Sequence, residues 1–144
     1  MLWHIYLSKR TVFIPSVSKT EAGFYLDTEP VEVVPAQDVS RLELALKTTI
    51  ERGNPIVPTP TRDKFPEPVV LKYAKKKSWA SFEKSATCFI FAKRESIYEI
   101  KHLRNSPNGG WEDDPDNIET VSLDAGIDVA VKKMIAMVLR SIRS

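Results

Sequence analysis

The chain has 144 residues, of which 42% are hydrophobic and 28% charged. These values fit an ordinary globular domain and exclude a disordered chain, a collagen-like repeat and a disulfide-stapled mini-protein. Lysine and arginine number 21 against 19 acidic residues, and the formal charge of +2 lacks the strong positive field of a dedicated nucleic-acid binder. The length predicts one domain covering residues 1–144.

Leu2–Leu7 and Thr11–Ser16 flank the short polar stretch Ser8-Lys9-Arg10, which predicts a β-hairpin. With Lys9-Arg10 as a two-residue loop, Leu7 faces Val12, Ile5 faces Ile14 and Trp3 faces Ser16 on one apolar side. His4, Tyr6, Phe13 and Pro15 take the other, mixed side, because successive side chains alternate across a strand. No basic stretch precedes this apolar start and no small-residue cleavage site follows it, so a signal peptide is not expected. No apolar run approaches the roughly 18 residues needed to span a bilayer, and the final Ser141-Ile142-Arg143-Ser144 carries no lipidation motif. A cytoplasmic protein without membrane contact is expected.

Gly23–Asp27 and Val31–Val34 are strand-like, with a turn at Thr28-Glu29-Pro30. Pro30 and Pro35 favour strand ends, since proline donates no ladder hydrogen bond. The spacing of Val39, Leu42, Leu46 and Ile50 predicts a helix over residues 39–52, capped by Asp38 or Ser40 and stopped by Gly53 and Pro55. Half of the 10 prolines lie between residues 55 and 68, giving an extended connection with Ile56-Val57 as a short edge strand.

Val69–Tyr73 reads as a strand. Trp79 and Phe82, at helical spacing behind Ser78, predict a short helix. Thr87–Lys93 and Ser96–Leu103 predict a second hairpin around Arg94-Glu95, with Phe89, Phe91, Tyr98 and Ile100 on one face. Residues 105–117 read as a loop and Ile118–Leu123 as a final strand. Ile127, Val131, Ile135, Val138, Leu139 and Ile142 form the stripe of a last helix over residues 127–142. The pattern is an α+β domain: a mostly antiparallel sheet with two main helices packed on one face.

The familiar enzyme signatures are missing. There is no glycine-rich phosphate loop, no nucleophile elbow and no zincin or paired Cys-x-x-Cys motif. Cys88 is the single cysteine, so no internal disulfide forms, which fits a reducing compartment. Cys88 and His102 fall on opposite faces of the second hairpin, against a Cys–His nucleophilic pair. Counted from Asp114, a calcium loop of EF-hand type would need glycine at Glu119 and glutamate at Ala125, so that pattern fails. No catalytic residue, metal or cofactor is expected.

Two stretches suit a partner. Trp111 stands beside Glu112, Asp113 and Asp114, an aromatic hot-spot residue with carboxylates that suit a basic protein. Lys72, Tyr73, Lys75, Lys76, Lys77 and Trp79 interleave cations with rings, the pattern that holds single-stranded nucleic acid. Alternatively, Trp111 staples its loop to the sheet and the lysines form a solvated turn. The leading expectation is a non-enzymatic cytoplasmic protein-binding domain, one form of which is an immunity or inhibitor protein. The alternatives are a nucleic-acid module using Lys72–Trp79 and a small-molecule enzyme whose site only tertiary structure assembles. A second copy of the chain is a further candidate partner.

Overall fold

A computed structural model describes residues 1–143. In chain order the strands and helices are β1 (Leu2–Ser8), β2 (Thr11–Thr20), β3 (Tyr25–Pro35), α1 (Val39–Glu51), β4 (Ile56–Val57), α2 (Val70–Ala74) and α3 (Trp79–Ser85), then β5 (Ala86–Lys93), β6 (Ile97–His102), β7 (Arg104–Asn105), β8 (Trp111–Glu112), β9 (Ile118–Ser122) and α4 (Ile127–Arg143). The main sheet runs β3-β2-β1-β5-β6-β9, antiparallel at each of these junctions. The short β4 joins β2 in parallel. The α+β class and the antiparallel sheet follow the sequence pattern.

Two apolar clusters lie on opposite faces of this sheet. Trp3, Ile5, Leu7, Val12 and Ile14 meet Phe89, Phe91, Tyr98 and Ile100 beneath α1 and α4. Tyr6, Phe13 and Cys88, which alternate with them, meet Val70, Leu71 and Phe82 of α2 and α3. The strict period of two divides one set of strands between two cores.

The Lys9-Arg10 loop closes the first hairpin with Leu7 opposite Val12. Both loop residues have positive φ, 51° and 63°, the backbone twist a two-residue turn needs even without glycine. The β1–β2 ladder covers three pairs, Tyr6–Phe13 to Ser8–Thr11, and so stops short of the expected Ile5–Ile14 and Trp3–Ser16 pairings. Beyond it the Asn54 amide spans both strands. Its Oδ1 accepts from the Leu2 N–H at 2.8 Å, and its Nδ2 donates to the carbonyls of Leu2 at 3.0 Å and Val17 at 2.9 Å.

Four local expectations are corrected. Val69–Tyr73 is not a strand: Val70–Ala74 is α2, ended by Lys75 at a left-handed φ of 57°. A short apolar run fits a strand or a buried helical turn equally well. Burial of Val70 and Leu71 against the Tyr6–Phe13 face decides for the helix. The two strands expected around Thr28-Glu29-Pro30 are one strand, β3, whose pairing with β2 shifts between Pro15 and Ser16. The shift leaves Glu29 and Pro30 out of the ladder, and β3 is an edge strand, so the missing N–H of Pro30 is tolerated. In the second hairpin Lys93 pairs with Tyr98, and the Arg94 N–H donates to the Ile97 carbonyl. The register therefore moves by two residues from a two-residue Arg94-Glu95 loop, and every side chain keeps its face. Within the expected 105–117 loop, β7 and β8 pair Asn105 with Trp111 and Arg104 with Glu112. The α1 cap is Asp38, whose carboxylate accepts from the Arg41 N–H, and Ser78 caps α3.

Candidate functional site

On the α2–α3 face, three residues distant in sequence converge. His4 and Tyr6 point the same way because they are two apart in β1, and Asp27 comes from β3. The His4 Nδ1 lies 2.6 Å from Asp27 Oδ1, and the Tyr6 hydroxyl donates to Asp27 Oδ2, also at 2.6 Å. The side chains are largely buried, 22% exposed for His4 and 13% for Asp27. The Tyr6 ring is boxed by Phe82 at 5.4 Å, Trp79 at 5.9 Å and Trp111 at 6.0 Å between ring centroids. Burial and the adjacent Asp27 charge push the Tyr6 phenol well above its ordinary range, since ionising there would create a second negative charge away from water.

The proline-rich segment covers this network. Its first part is tied to the β2–β3 end: the Lys19 N–H donates to the Pro55 carbonyl at 2.9 Å, and the Ala22 N–H to Thr59 Oγ1 at 2.8 Å. Residues Phe65–Pro68 then cross above β3 before α2. A cleft of two adjoining chambers lies beneath them. The chamber over His4 and Asp27 holds about 250 Å³, with Trp79 and Phe65 among its walls. The second holds about 510 Å³ and reaches Glu29, Lys72 and Lys76. At the mouth Phe24 and Phe65 stack at 6.1 Å and 19°, yet they remain 40% and 52% exposed.

Trp111 does not project into solvent. It is partly buried in the second cluster and meets Trp79 edge-on at 5.8 Å. Its indole N–H is buried without an acceptor. The neighbouring carboxylates are engaged within the chain: Glu112 with Arg104 at 3.4 Å and Asp113 with Lys101 at 2.9 Å. Asp114 accepts from Asn117 at 2.8 Å and from the Asp116 N–H at 3.1 Å, and these two bonds hold its carboxyl below the ordinary aspartate range.

In the lysine stretch, Lys72 pairs with Glu29, which also accepts from the Tyr73 hydroxyl at 2.6 Å. Trp79 packs inward on Phe82. Among the described residues, Lys75, Lys76 and Lys77 have no carboxylate within ion-pair distance. Lys72 lies over the Tyr73 ring at 5.2 Å, whereas the inward turn of Trp79 takes the second ring meant to stack on bases away from the lysines.

Sequence spacing alone did not bring His4, Tyr6 and Asp27 together. The i, i+2 pairing of His4 with Tyr6 on a mixed strand face was the visible signal; the partner from β3 was not. Chemically, a carboxylate on Nδ1 fixes the orientation of the His4 ring. Burial raises the Cys88 thiol far above its ordinary range, so this cysteine is not an activated nucleophile. Accordingly, Cys88 should resist a thiol-reactive dye in the native protein and react after denaturation. Rapid native labelling would show that this face opens. Among the described residues no group of three or more His, Cys, Asp and Glu is placed to hold a metal ion, and no helix is long and apolar enough to cross a membrane.

No family model matches the chain, and no curated protein matches it. Among solved structures it is similar to NMB0488, a protein of unknown function from Neisseria meningitidis. The TM-score is 0.68, with 11% identity over 97% of this chain and 93% of the other. At that identity the likeness is one of fold: a mostly antiparallel sheet with helices packed on it.

Proposed function

We propose that this chain is a cytoplasmic protein-binding domain that acts by occupying a partner rather than by catalysis, as an immunity or inhibitor protein does. The observation that supports it is the Phe24–Phe65 stack at the cleft mouth. Two aromatic rings left half-exposed beside a groove, with Glu21, Arg62, Lys64 and Glu67 exposed nearby in sequence, have the composition of an interface centre with a polar rim. Trp111 takes a supporting role in this reading, because its ring props Trp79 and Tyr6 under the cleft. The carboxylates of Glu112, Asp113 and Asp114 are held by Arg104, Lys101 and Asn117 and do not carry this reading.

Replacing Phe65 with a photo-crosslinking phenylalanine in the native host tests the proposal. One discrete protein adduct is expected, lost when Phe24→Ala is added. Absence of an adduct, or an adduct indifferent to Phe24→Ala, would overturn it. The nucleic-acid alternative makes an opposite demand. Binding of labelled single-stranded DNA or RNA is expected to be weak near physiological salt and little changed by Lys75/Lys76/Lys77→Ala. Submicromolar binding abolished by that variant, with a log–log salt slope of about −0.7 per phosphate, would favour the alternative.

A further inference from the structure

We infer that the chamber over His4 is a receptor for one arginine side chain of a basic protein partner. The inference rests on the protein-binding reading and assigns the chemistry of its central contact. Size is the first consideration. At about 250 Å³ the chamber falls below the roughly 300–1,000 Å³ of drug-sized ligand sites, so it suits a single long side chain.

The lining is the second consideration. Tyr6, Phe24, Tyr25, Phe65 and Trp79 give the chamber five aromatic residues beside His4, and Asp27 and Glu67 give it two acidic ones. Aromatic faces attract a cation, and a guanidinium stacks on them as a flat plate. Asp27 receives one bond from His4 and one from Tyr6, whereas a carboxylate offers about four acceptor positions. The two bonds therefore fix its orientation and leave acceptor capacity for a planar, multi-donor guest.

The charge balance agrees. The His4 chamber contains no lysine or arginine in its lining. Lys72 and Lys76 border only the adjoining chamber, and Lys72 is paired with Glu29. Glu67 comes from the covering segment and Asp27 from β3, so the two acidic residues line the chamber from different elements.

The test needs no partner protein. The ¹⁵N-labelled chain is titrated with N-acetyl-arginine amide and with N-acetyl-citrulline amide, a neutral side chain of nearly the same shape. The arginine probe is expected to saturate with a dissociation constant on the order of millimolar, typical of so small a ligand. It should move the Trp79 indole and His4 imidazole resonances. Citrulline should bind about tenfold more weakly, a difference set by charge alone. Glu67→Gln and Phe65→Ala, both at exposed positions and so expected to leave the fold intact, should each weaken the arginine probe at least about fivefold. Equal binding of the two probes, no saturation, or arginine binding indifferent to both variants overturns the inference. A failed Phe65 crosslink with successful arginine binding would reject the protein-binding reading and keep this site; the converse would keep the reading and reject the site.

Discussion

Phe82→Ala is expected to lower the free energy of unfolding by about 3–5 kcal/mol. Phe82 is completely buried and forms the centre of the second cluster. Its ring meets Tyr6 at 5.4 Å and 69°, Phe13 at 6.2 Å and 80°, and Trp79 at 5.4 Å. Truncation removes the transfer free energy of the ring and leaves a cavity that the sheet on one side cannot close. The tilted and edge-on pairs add about 0.5–1.5 kcal/mol each beyond area burial, which places the loss toward the upper end. Denaturant titration at neutral pH measures it. A loss below about 1 kcal/mol would show that α3 contributes little to the fold and that the cleft floor is loose.

The next largest effect should come from the Tyr6–Asp27–His4 network. Tyr6→Phe removes one hydrogen bond to a charged acceptor, worth about 1.5–3 kcal/mol. Asp27→Ala should cost more, because it strands both the buried Tyr6 hydroxyl and the His4 Nδ1. The double variant should lose less than the sum, since the two residues share one bond. Additive losses would mean that the bond contributes nothing to stability.

The same tyrosine predicts an alkaline signature. Its folded-state pKa is raised, by burial first and by Asp27 second. Below about pH 10 both folded and unfolded tyrosine hold the proton, and the stabilisation is fully present. Above that pH the unfolded state releases a proton that the folded state retains. Stability then falls by roughly 1 kcal/mol per pH unit until the folded pKa is reached. The stability difference between wild type and Tyr6→Phe should therefore shrink above pH 10. A difference that stays constant from pH 8 to about pH 11 would contradict burial of this hydroxyl.

Particular residues show how far the sequence could be read. Asp38, Leu42, Leu46 and Ile50 lie within fourteen residues of one another, and cap and stripe together specify α1 without reference to the rest of the chain. The stripe of α4 and the alternation of Phe89, Phe91, Tyr98 and Ile100 are equally local. The second hairpin shows the limit of that legibility. A shift of two residues preserves every face, so alternation fixes the faces and leaves the register open.

Val69–Tyr73 marks the other boundary. Its apolar run has no period of its own, and the contacts that make it helical lie on β1 and β2, more than fifty residues earlier. The candidate site depends on the same kind of distant information. Trp111 and the lysine stretch stand out in sequence because their neighbours are charged, but tertiary packing turns Trp111 and Trp79 inward and pairs Glu112 and Asp113 with cations. Phe24 and Asp27 share one unremarkable stretch, and Phe65 joins them only through the course of the proline-rich segment.

The sequence alone determined the class of fold, the two long helices and the alternating faces of β1, β5 and β6, because hydrophobic period and capping are short-range properties of a chain in water. Tertiary structure decided which charges remain available, which aromatic rings are presented and where a cleft opens. Those outcomes depend on desolvation and pairing between segments that are remote in sequence and adjacent only in the folded molecule.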